Sequence, residues 1–323
     1  MALLLHEGDV RALLTMPLAL AAVEETFRRQ ASGEAILHPR WRLEAPEKAF
    51  LHYMAAADTV SGYMGMKIYT SVRGTVRFLV PLYSVKTGEL LALIEADYLG
   101  QMRTGAASGV ATKYMSRADA RTVGIVGTGL QARTQLEAIV AVRRIERVRA
   151  FGRNPERRAQ FCAEMSARLG VAVTPAGSAE EAVREAEIVV SATTASKPVV
   201  LGAWLAPGAH INAIGANFPQ KRELDDEAVH RAAIVAVDSV EQSKLEAGDL
   251  IQAFREEPAR WSGVRELAQI VAGKTLGRTD AREITLFKSN GIAIWDVAVA
   301  GRVCELARQR KMGAQIPLWE PSG

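Results

Sequence analysis

Apolar positions recur with a helical period over residues 9–30, "DVRALLTMPLALAAVEETFRRQ", with an acid at the start and arginines at the end. The charge order suits the helix dipole, and the spacing predicts one helix. The rhythm then changes to short β-like runs: "ILHPRWRLEA", "AFLHYMAA", "GYMGMKIYTS", "VRFLVPLYSV" and "LLALIEADYL". The turn "KTGE" at 86–89 joins the last two as a hairpin. No helical pattern separates these runs, so this half predicts an antiparallel-rich or mixed sheet. Residues 99–115, "LGQMRTGAASGVATKYM", then read as a helix whose many small residues allow close packing.

At Arg121 strands begin to alternate with helices. "RTVGIVG" reads as a strand and "LQARTQLEAIVAV" as a helix; "RVRAFGR" is again a strand and "PERRAQFCAEMSARLG" a helix. "EEAVREA" leads into the strand "EIVVSAT", and "HINAIGA" and "AIVAVDS" follow. Such alternation predicts βαβ units around a parallel sheet. The second domain is placed at 118–295. The remaining segments, 1–117 and 296–323, form the other domain, since the final helix, from Ile292 to Arg310, is long enough to return to it.

Composition narrows the function. The chain has 323 residues, 49% hydrophobic and 24% charged, with a net charge of +4. Basic residues are interspersed with acids, which argues against a nucleic-acid partner. Two cysteines, Cys162 and Cys304, form neither a disulfide framework nor a metal-ligand pattern, and no metal site is expected. The N-terminus lacks the basic leader and long apolar core of a signal peptide, and no run approaches the ~18–20 apolar residues of a membrane span. A cytoplasmic protein with no membrane partner is the default expectation.

"VGIVGTGLQA" places Gly127-x-Gly129-x-x-Ala132 between a strand and a helix. Such a turn brings backbone N–H groups close to a pyrophosphate at a helix N-terminus, with Leu130 and Gln131 opening the helix. About 20 residues beyond, a carboxylate would grip the ribose hydroxyls of NAD. The chain offers Gly152, Arg153 and Asn154 there, with Arg157 and Arg158 following. Guanidinium groups pair with phosphate, so NADP(H) is the preferred cofactor and NAD(H) the lesser choice.

Lys67 stands among apolar residues in "MGMKIYTS", where a lysine is unusual without a task. Arg40 and Arg42 share one side if their segment is a strand, and Arg103 opens the small-residue helix. Converging on a cofactor cleft, these cations would recognise a small carboxylate. Asn217 follows the run "INAIGA", at the strand end where open α/β sheets bind ligands. Asp249 and Glu246 could reach the cleft, although Asp249 fits better as a helix cap. Asp296 reads as structural, and His52 as a core or surface histidine.

The segments "MGMKIYTS", "MRTGAASGVATKYMSR", "VGIVGTGLQARTQLEAI", "NAIGANFPQKRELD", "VDSVEQSKLEAGDL" and "EITLFKSNGIAIWDVA" together resemble the ornithine cyclodeaminase and mu-crystallin family. The resemblance covers nearly the whole chain. It implies a homodimer of α/β fold, with a Rossmann-type doubly wound parallel sheet. An α+β substrate and dimerisation domain, built from the N-terminal part and the C-terminal helix, completes it. Lys67, Arg103 and one of Arg40 and Arg42, with Arg42 favoured, match the carboxylate-binding cations. Thr104, Ala192, Thr193 and Thr194 match cofactor-lining segments, and Ser289 and Gly291 match the segment beside the nicotinamide. Asn217 is a departure: cyclodeaminases carry an aspartate there that assists proton transfer.

An amide has no titratable function near neutral pH, yet it can orient a nitrogen. The sequence therefore points to an oxidoreductase acting on the C–N bond of a small α-imino or α-amino acid. Lys67 and Asn217 are its candidate catalytic residues, and cyclic ketimines such as pyrroline-2-carboxylate its leading substrates. An ornithine cyclodeaminase using bound NAD and a non-catalytic crystallin-like binding protein remain as alternatives.

Overall fold

The computed structural model describes residues 1–318. The N-terminal segment forms β1 (Ala2–Leu5), α1 (Glu7–Leu13) and α2 (Met16–Ser32). Two helices replace the single one expected. Thr15 adopts an extended conformation and Pro17 lies in the first turn of α2, where its missing N–H costs nothing. Six strands follow: β2 (Ala35–Leu37), β3 (Trp41–Ala45), β4 (Ala49–Asp58), β5 (Tyr63–Val72), β6 (Thr75–Ser84) and β7 (Leu90–Glu95). α3 (Asp97–Met115) starts inside the last expected β-run. The Glu7 carboxylate accepts the N–H groups of Asp97 and Tyr98, at 2.7 and 3.2 Å, and so caps this helix from a distant part of the chain.

The α/β region comprises β8 (Thr122–Val126), α4 (Leu130–Val142), β9 (Arg147–Phe151), α5 (Pro155–Leu169), β10 (Ala172–Pro175), α6 (Ala179–Val183), β11 (Ile188–Ser191) and β12 (His210–Ala213). Then come α7 (Asp226–His230), β13 (Ala232–Val237), α8 (Val240–Glu246), α9 (Gly248–Ala253), β14 (Arg265–Glu266), α10 (Leu267–Val271) and β15 (Ile284–Lys288). α11 (Ala293–Arg310) and β16 (Ala314–Ile316) close the described chain.

The chain divides into two compact units, Met1–Arg103 with the segment from Gly291 onward, and Thr104–Asn290. The expected boundaries lay further along, at 117/118 and 295/296. Arg103 pairs with Asp296 and Gly291 accepts from Arg40, all within the first unit.

In the first unit the sheet order is β16-β1-β7-β6-β5-β4-β2, with β3 paired to β4. All pairings are antiparallel except β1 with β7. α11 packs against this sheet on the face that carries Tyr63 and Lys67: Tyr63 donates its hydroxyl to Glu305 at 3.0 Å. A Cβ at Gly301 would strike the Tyr63 ring, so glycine permits the contact. Phe27 of α2 meets Trp295 of α11 edge-on, with centroids 5.3 Å apart.

The second unit is a fully parallel eight-stranded sheet of order β10-β9-β8-β11-β12-β15-β13-β14. Chain direction across the sheet reverses between β8 and β11, the switch point where such folds bind ligands. Alternate residues feed cores on its two faces: Val126 and Val189 enter one, Ile125 and Val190 the other. The small residues of α3 act as expected where Gly105 lies so close to the Thr134 carbonyl that a Cβ would overlap it.

Candidate functional site

The first unit builds a buried cluster of charge. β5 points Lys67 toward the N-terminal turns of α3 and α11. Its Nζ lies close enough to α3 that a Cβ at Gly100 would sit 3.0 Å away. Asp296, in the first turn of α11, faces Lys67 at 3.4 Å and the Nε of Arg103 at 3.1 Å. Arg40 donates to the Gly291 carbonyl at 3.2 Å, and a Cβ on Gly291 would lie 2.6 Å from Arg103 Nη1. Gly291 also has a φ of +78°, so glycine is required there on two grounds. Lys67, Arg103 and Asp296 are 3%, 5% and 0% exposed.

Two cations, Lys67 and Arg103, thus share one carboxylate, and the charge of Arg40 acts on the same lysine. Buried charges need partners, and this cluster lacks some: Arg103 Nη1, Trp295 Nε1 and Asp296 Oδ2 are buried without a hydrogen bond. Burial and the neighbouring charge of Arg103 push the Lys67 amine down to about 7, against the opposing pull of Asp296. Its Nζ also lies 4.4 Å from the Phe78 ring centre. The arrangement is suited to gripping an anion and to exchanging a proton near neutral pH.

Of the two arginines weighed from sequence, Arg40 is the one whose charge acts on Lys67. Arg42 stands opposite His52 in the β3–β4 register. His52 is 4% exposed, stacks on Tyr69 at 4.3 Å and is lowered to about 4, by burial first and then by Arg42 and Arg40. Asp296 is the residue that sequence reasoning undervalued. Rather than a passive part of α11, it is the shared counter-ion of Lys67 and Arg103.

The second unit shapes a glycine turn suited to a dinucleotide. Gly127 has a φ of +107°, and a Cβ on it would overlap the Ala192 carbonyl. Gly129 is the N-cap of α4 with no side-chain cap, and a Cβ there would meet nothing within 4 Å. The helix therefore opens with no side-chain cap and with clear space at its first turn, which fits a pyrophosphate. Leu130 is 65% exposed beside this space, whereas Ala132 is buried. Gln131 Oε1 is buried without a partner. The Thr104 carbonyl accepts from Gln135 Nε2 at 3.2 Å.

A Cβ at Gly152 would overlap the Thr128 hydroxyl, so the second strand ends against the glycine turn. Arg153 is exposed. Arg158 donates to the Gly152 carbonyl at 3.2 Å, and its Nε has no partner. The side chain of Asn154 is committed locally, since it accepts the Arg157 N–H at 2.8 Å and caps α5. Ser289 donates its hydroxyl to Asp238 at 3.1 Å, and Thr193 donates to Glu223. No bond of Thr194 bears on the glycine turn. Asn217 lies in the loop after β12, four residues beyond its last residue, Ala213. Asp249 is not a helix cap: its Oδ1 accepts the N–H groups of Glu223 and Leu224.

Among the described residues no group of three His, Cys, Asp or Glu could hold a metal ion, and no helix is long and apolar enough to cross a membrane.

Comparison with known proteins agrees with this geometry. The pattern of the ornithine cyclodeaminase/mu-crystallin family matches residues 2–311. A Delta(1)-pyrroline-2-carboxylate reductase from Bacillus thuringiensis subsp. konkukian is 39% identical over 97% of this chain and 99% of its own. The structure of the Thermococcus litoralis Delta(1)-pyrroline-2-carboxylate reductase in complex with NADH and L-proline superposes with a TM-score of 0.93, at 38% identity, covering 97% of this chain and 100% of that one. An archaeal alanine dehydrogenase dimer with bound NAD gives 0.92, at 37% identity, covering 98% and 99%. A glycine-turn parallel sheet, a buried cation cluster and these likenesses agree: the chain belongs to the ornithine cyclodeaminase/mu-crystallin family.

Proposed function

We propose that the protein is an NAD(P)H-dependent oxidoreductase acting on the C–N bond of a small α-imino or α-amino acid. Cyclic ketimines, such as pyrroline-2-carboxylate or piperideine-2-carboxylate, are the leading substrates. The observation that carries this reading is the unbalanced cluster around Asp296, in which two buried cations, Lys67 and Arg103, share one carboxylate and Arg103 Nη1 lacks a partner. A substrate carboxylate supplies the missing negative charge and the missing acceptor.

When bound, the nicotinamide supplies or accepts the hydride. Arg103, Lys67 and Arg40 fix the carboxylate, which orients the imine carbon. Lys67, lowered to about 7, can give a proton toward the imine nitrogen and take one back in the reverse direction. Asn217 orients that nitrogen. It offers no titratable group, so a route that must also expel ammonia lacks its proton shuttle. The relatives' names, pyrroline-2-carboxylate reductase and alanine dehydrogenase, support C–N redox chemistry.

NADPH is preferred over NADH, because Arg153 and Arg158 flank the end of β9 where an acid would grip an unphosphorylated ribose. The protein works as a homodimer. Trp41, Tyr53, Ile68 and Leu79 form one cross-strand row, and three of the four are 63%, 37% and 38% exposed, an apolar strip suited to a second copy. Light scattering should give twice the chain mass, and Trp41→Lys should reduce it to a monomer.

The deciding experiment is turnover. Enzyme, NADPH and pyrroline-2-carboxylate should consume NADPH and yield proline. Absence of turnover across a panel of cyclic and linear imines with both cofactors would defeat the reading. Formation of proline and ammonia from ornithine without net NADH would replace it with the lyase.

A further inference from the structure

The loop that carries Asn217 is held by groups to which the proposed reaction gives no role. Lys288 ends the apolar strand β15, and its side chain is fully buried. Its Nζ donates to the Ala216 carbonyl at 2.5 Å and pairs with Asp249 Oδ2 at 3.0 Å. Asp249 Oδ1 accepts the backbone N–H groups of Glu223 and Leu224, at 2.6 and 2.9 Å.

Glu223, also fully buried, accepts through Oε2 from the N–H groups of Gly215 and Ala216, at 2.6 and 3.2 Å. Its Oε1 accepts from the Ser191 hydroxyl at 2.8 Å and from both the N–H and the hydroxyl of Thr193, each at 2.7 Å. A Cβ on Gly215 would overlap the Thr193 carbonyl, so only glycine lets the two segments approach this closely.

A connection that merely closed a loop would not need buried charges on three consecutive peptide groups. Ala216, the residue before Asn217, is fixed at its N–H by Glu223 and at its carbonyl by Lys288. The same Glu223 carboxylate grips Thr193, in the segment after β11 that the family resemblance sets along the cofactor. Hydride transfer is steep in distance, and a misplacement of about 1 Å far from the chemistry can cost about 10²-fold.

We propose that Glu223, backed by Asp249 and Lys288, is a positioning residue. It ties the N–H groups of Gly215 and Ala216 to the Thr193 segment, while Lys288 holds the Ala216 carbonyl, and so sets where the Asn217 amide stands for hydride transfer, without touching substrate. This rests on the reductase reading above.

Glu223→Gln keeps the size but presents an NH2 group to N–H donors. It should lower kcat by about 30–100-fold while the Kd for NADPH, read by fluorescence, stays within about threefold. The primary isotope effect with 4-deuterated NADPH should rise as hydride transfer becomes limiting. Combined with Asn217→Ala, it should add little to the loss that Asn217→Ala causes alone. Lys288→Met should behave alike, and Lys288→Arg should recover part of that loss.

If Glu223→Gln fails to fold, Thr193→Val removes one donor to the same carboxylate and should show a smaller loss of the same kind. A purely structural role predicts unchanged kinetics per NADPH-binding site and multiplicative losses in the double variant, and either result overturns the proposal. Hydrogen exchange separates the two readings, because it needs no turnover. Backbone amides of 214–218 should exchange faster in Glu223→Gln, and unchanged exchange overturns the clamp. Faster exchange in the variant of an inactive parent supports the clamp and overturns only the reductase reading.

Discussion

The first unit pairs one carboxylate, Asp296, with Lys67 and Arg103, and leaves Arg103 Nη1, Trp295 Nε1 and Asp296 Oδ2 buried without a hydrogen bond. The second unit surrounds one lysine, Lys288, with Asp249 and backbone carbonyls, and Glu223 beside it takes five hydrogen bonds. Both clusters are almost wholly buried, so both bear a desolvation cost. The difference lies in what completes them. In the second, both oxygens of Glu223 and the amine of Lys288 find their partners within the chain. The first has two cations on one carboxylate and an unpartnered guanidinium nitrogen, an excess of positive charge that suits an anion.

The strongest test of this contrast removes the amine at the centre of the first cluster. Lys67→Met should cut kcat/KM by about 10³-fold, within the range expected for a group that handles a proton. It should also raise the thermal midpoint at pH 7. The unfolded chain holds the Lys67 proton up to its usual 10.5, whereas the folded chain holds it only to about 7. The group therefore opposes folding below that range, and its contribution to stability improves as pH rises from about 7 to 10.5. A variant that loses both activity and stability would contradict the picture of a strained functional lysine.

Asp296→Asn attacks the same cluster from the other side. Buried cations without a counter-ion should cost about 3–5 kcal/mol in stability, measured by urea unfolding. The Lys67 amine should move below about 7, because Asp296 is the group that raises it. By contrast with Lys67→Met, this change should lower the thermal midpoint.

The pH profile gives a graded effect. The protonated form of Lys67 is the one that binds an anion and donates a proton. For imine reduction, kcat/KM should therefore fall about tenfold per pH unit above about 7. Lys67→Arg should abolish that limb even where some activity survives. His52 does not produce it, since its ring titrates near 4. A flat profile through pH 6–9 in the unaltered protein would remove Lys67 from proton handling.

The smallest expected effect concerns the second unit. Arg153→Ser with Arg158→Ser should raise KM for NADPH about tenfold, about 1.4 kcal/mol, and leave NADH nearly unchanged. Equal losses with both cofactors would assign these arginines to folding rather than to phosphate recognition.

Much of this was legible along the chain. The helical period of residues 130–142 coincides with α4, and the glycine turn lies between β8 and α4 as its spacing required. Lys67 stood out because it interrupts an apolar strand, and it is indeed buried. The same rule applied to "ITLFK" would have flagged Lys288, which closes an otherwise apolar run. β15 itself carried no strand expectation, because a short continuous apolar run does not separate strand from helix. Asp296 gave no local signal at all: an acid in the first turn of a helix is ordinary.

The sequence by itself determined most of the element types, the glycine turn, the cationic residues and the absence of a proton-carrying group at Asn217. These follow from period, backbone freedom and side-chain chemistry, which are properties of neighbours along the chain. Only the tertiary structure decided which charges share a partner. Arg103 meets Asp296 across 193 positions, and Lys288 meets the Ala216 carbonyl across 72. Burial makes such pairings obligatory, because a charge removed from water must find its partner wherever the fold brings one.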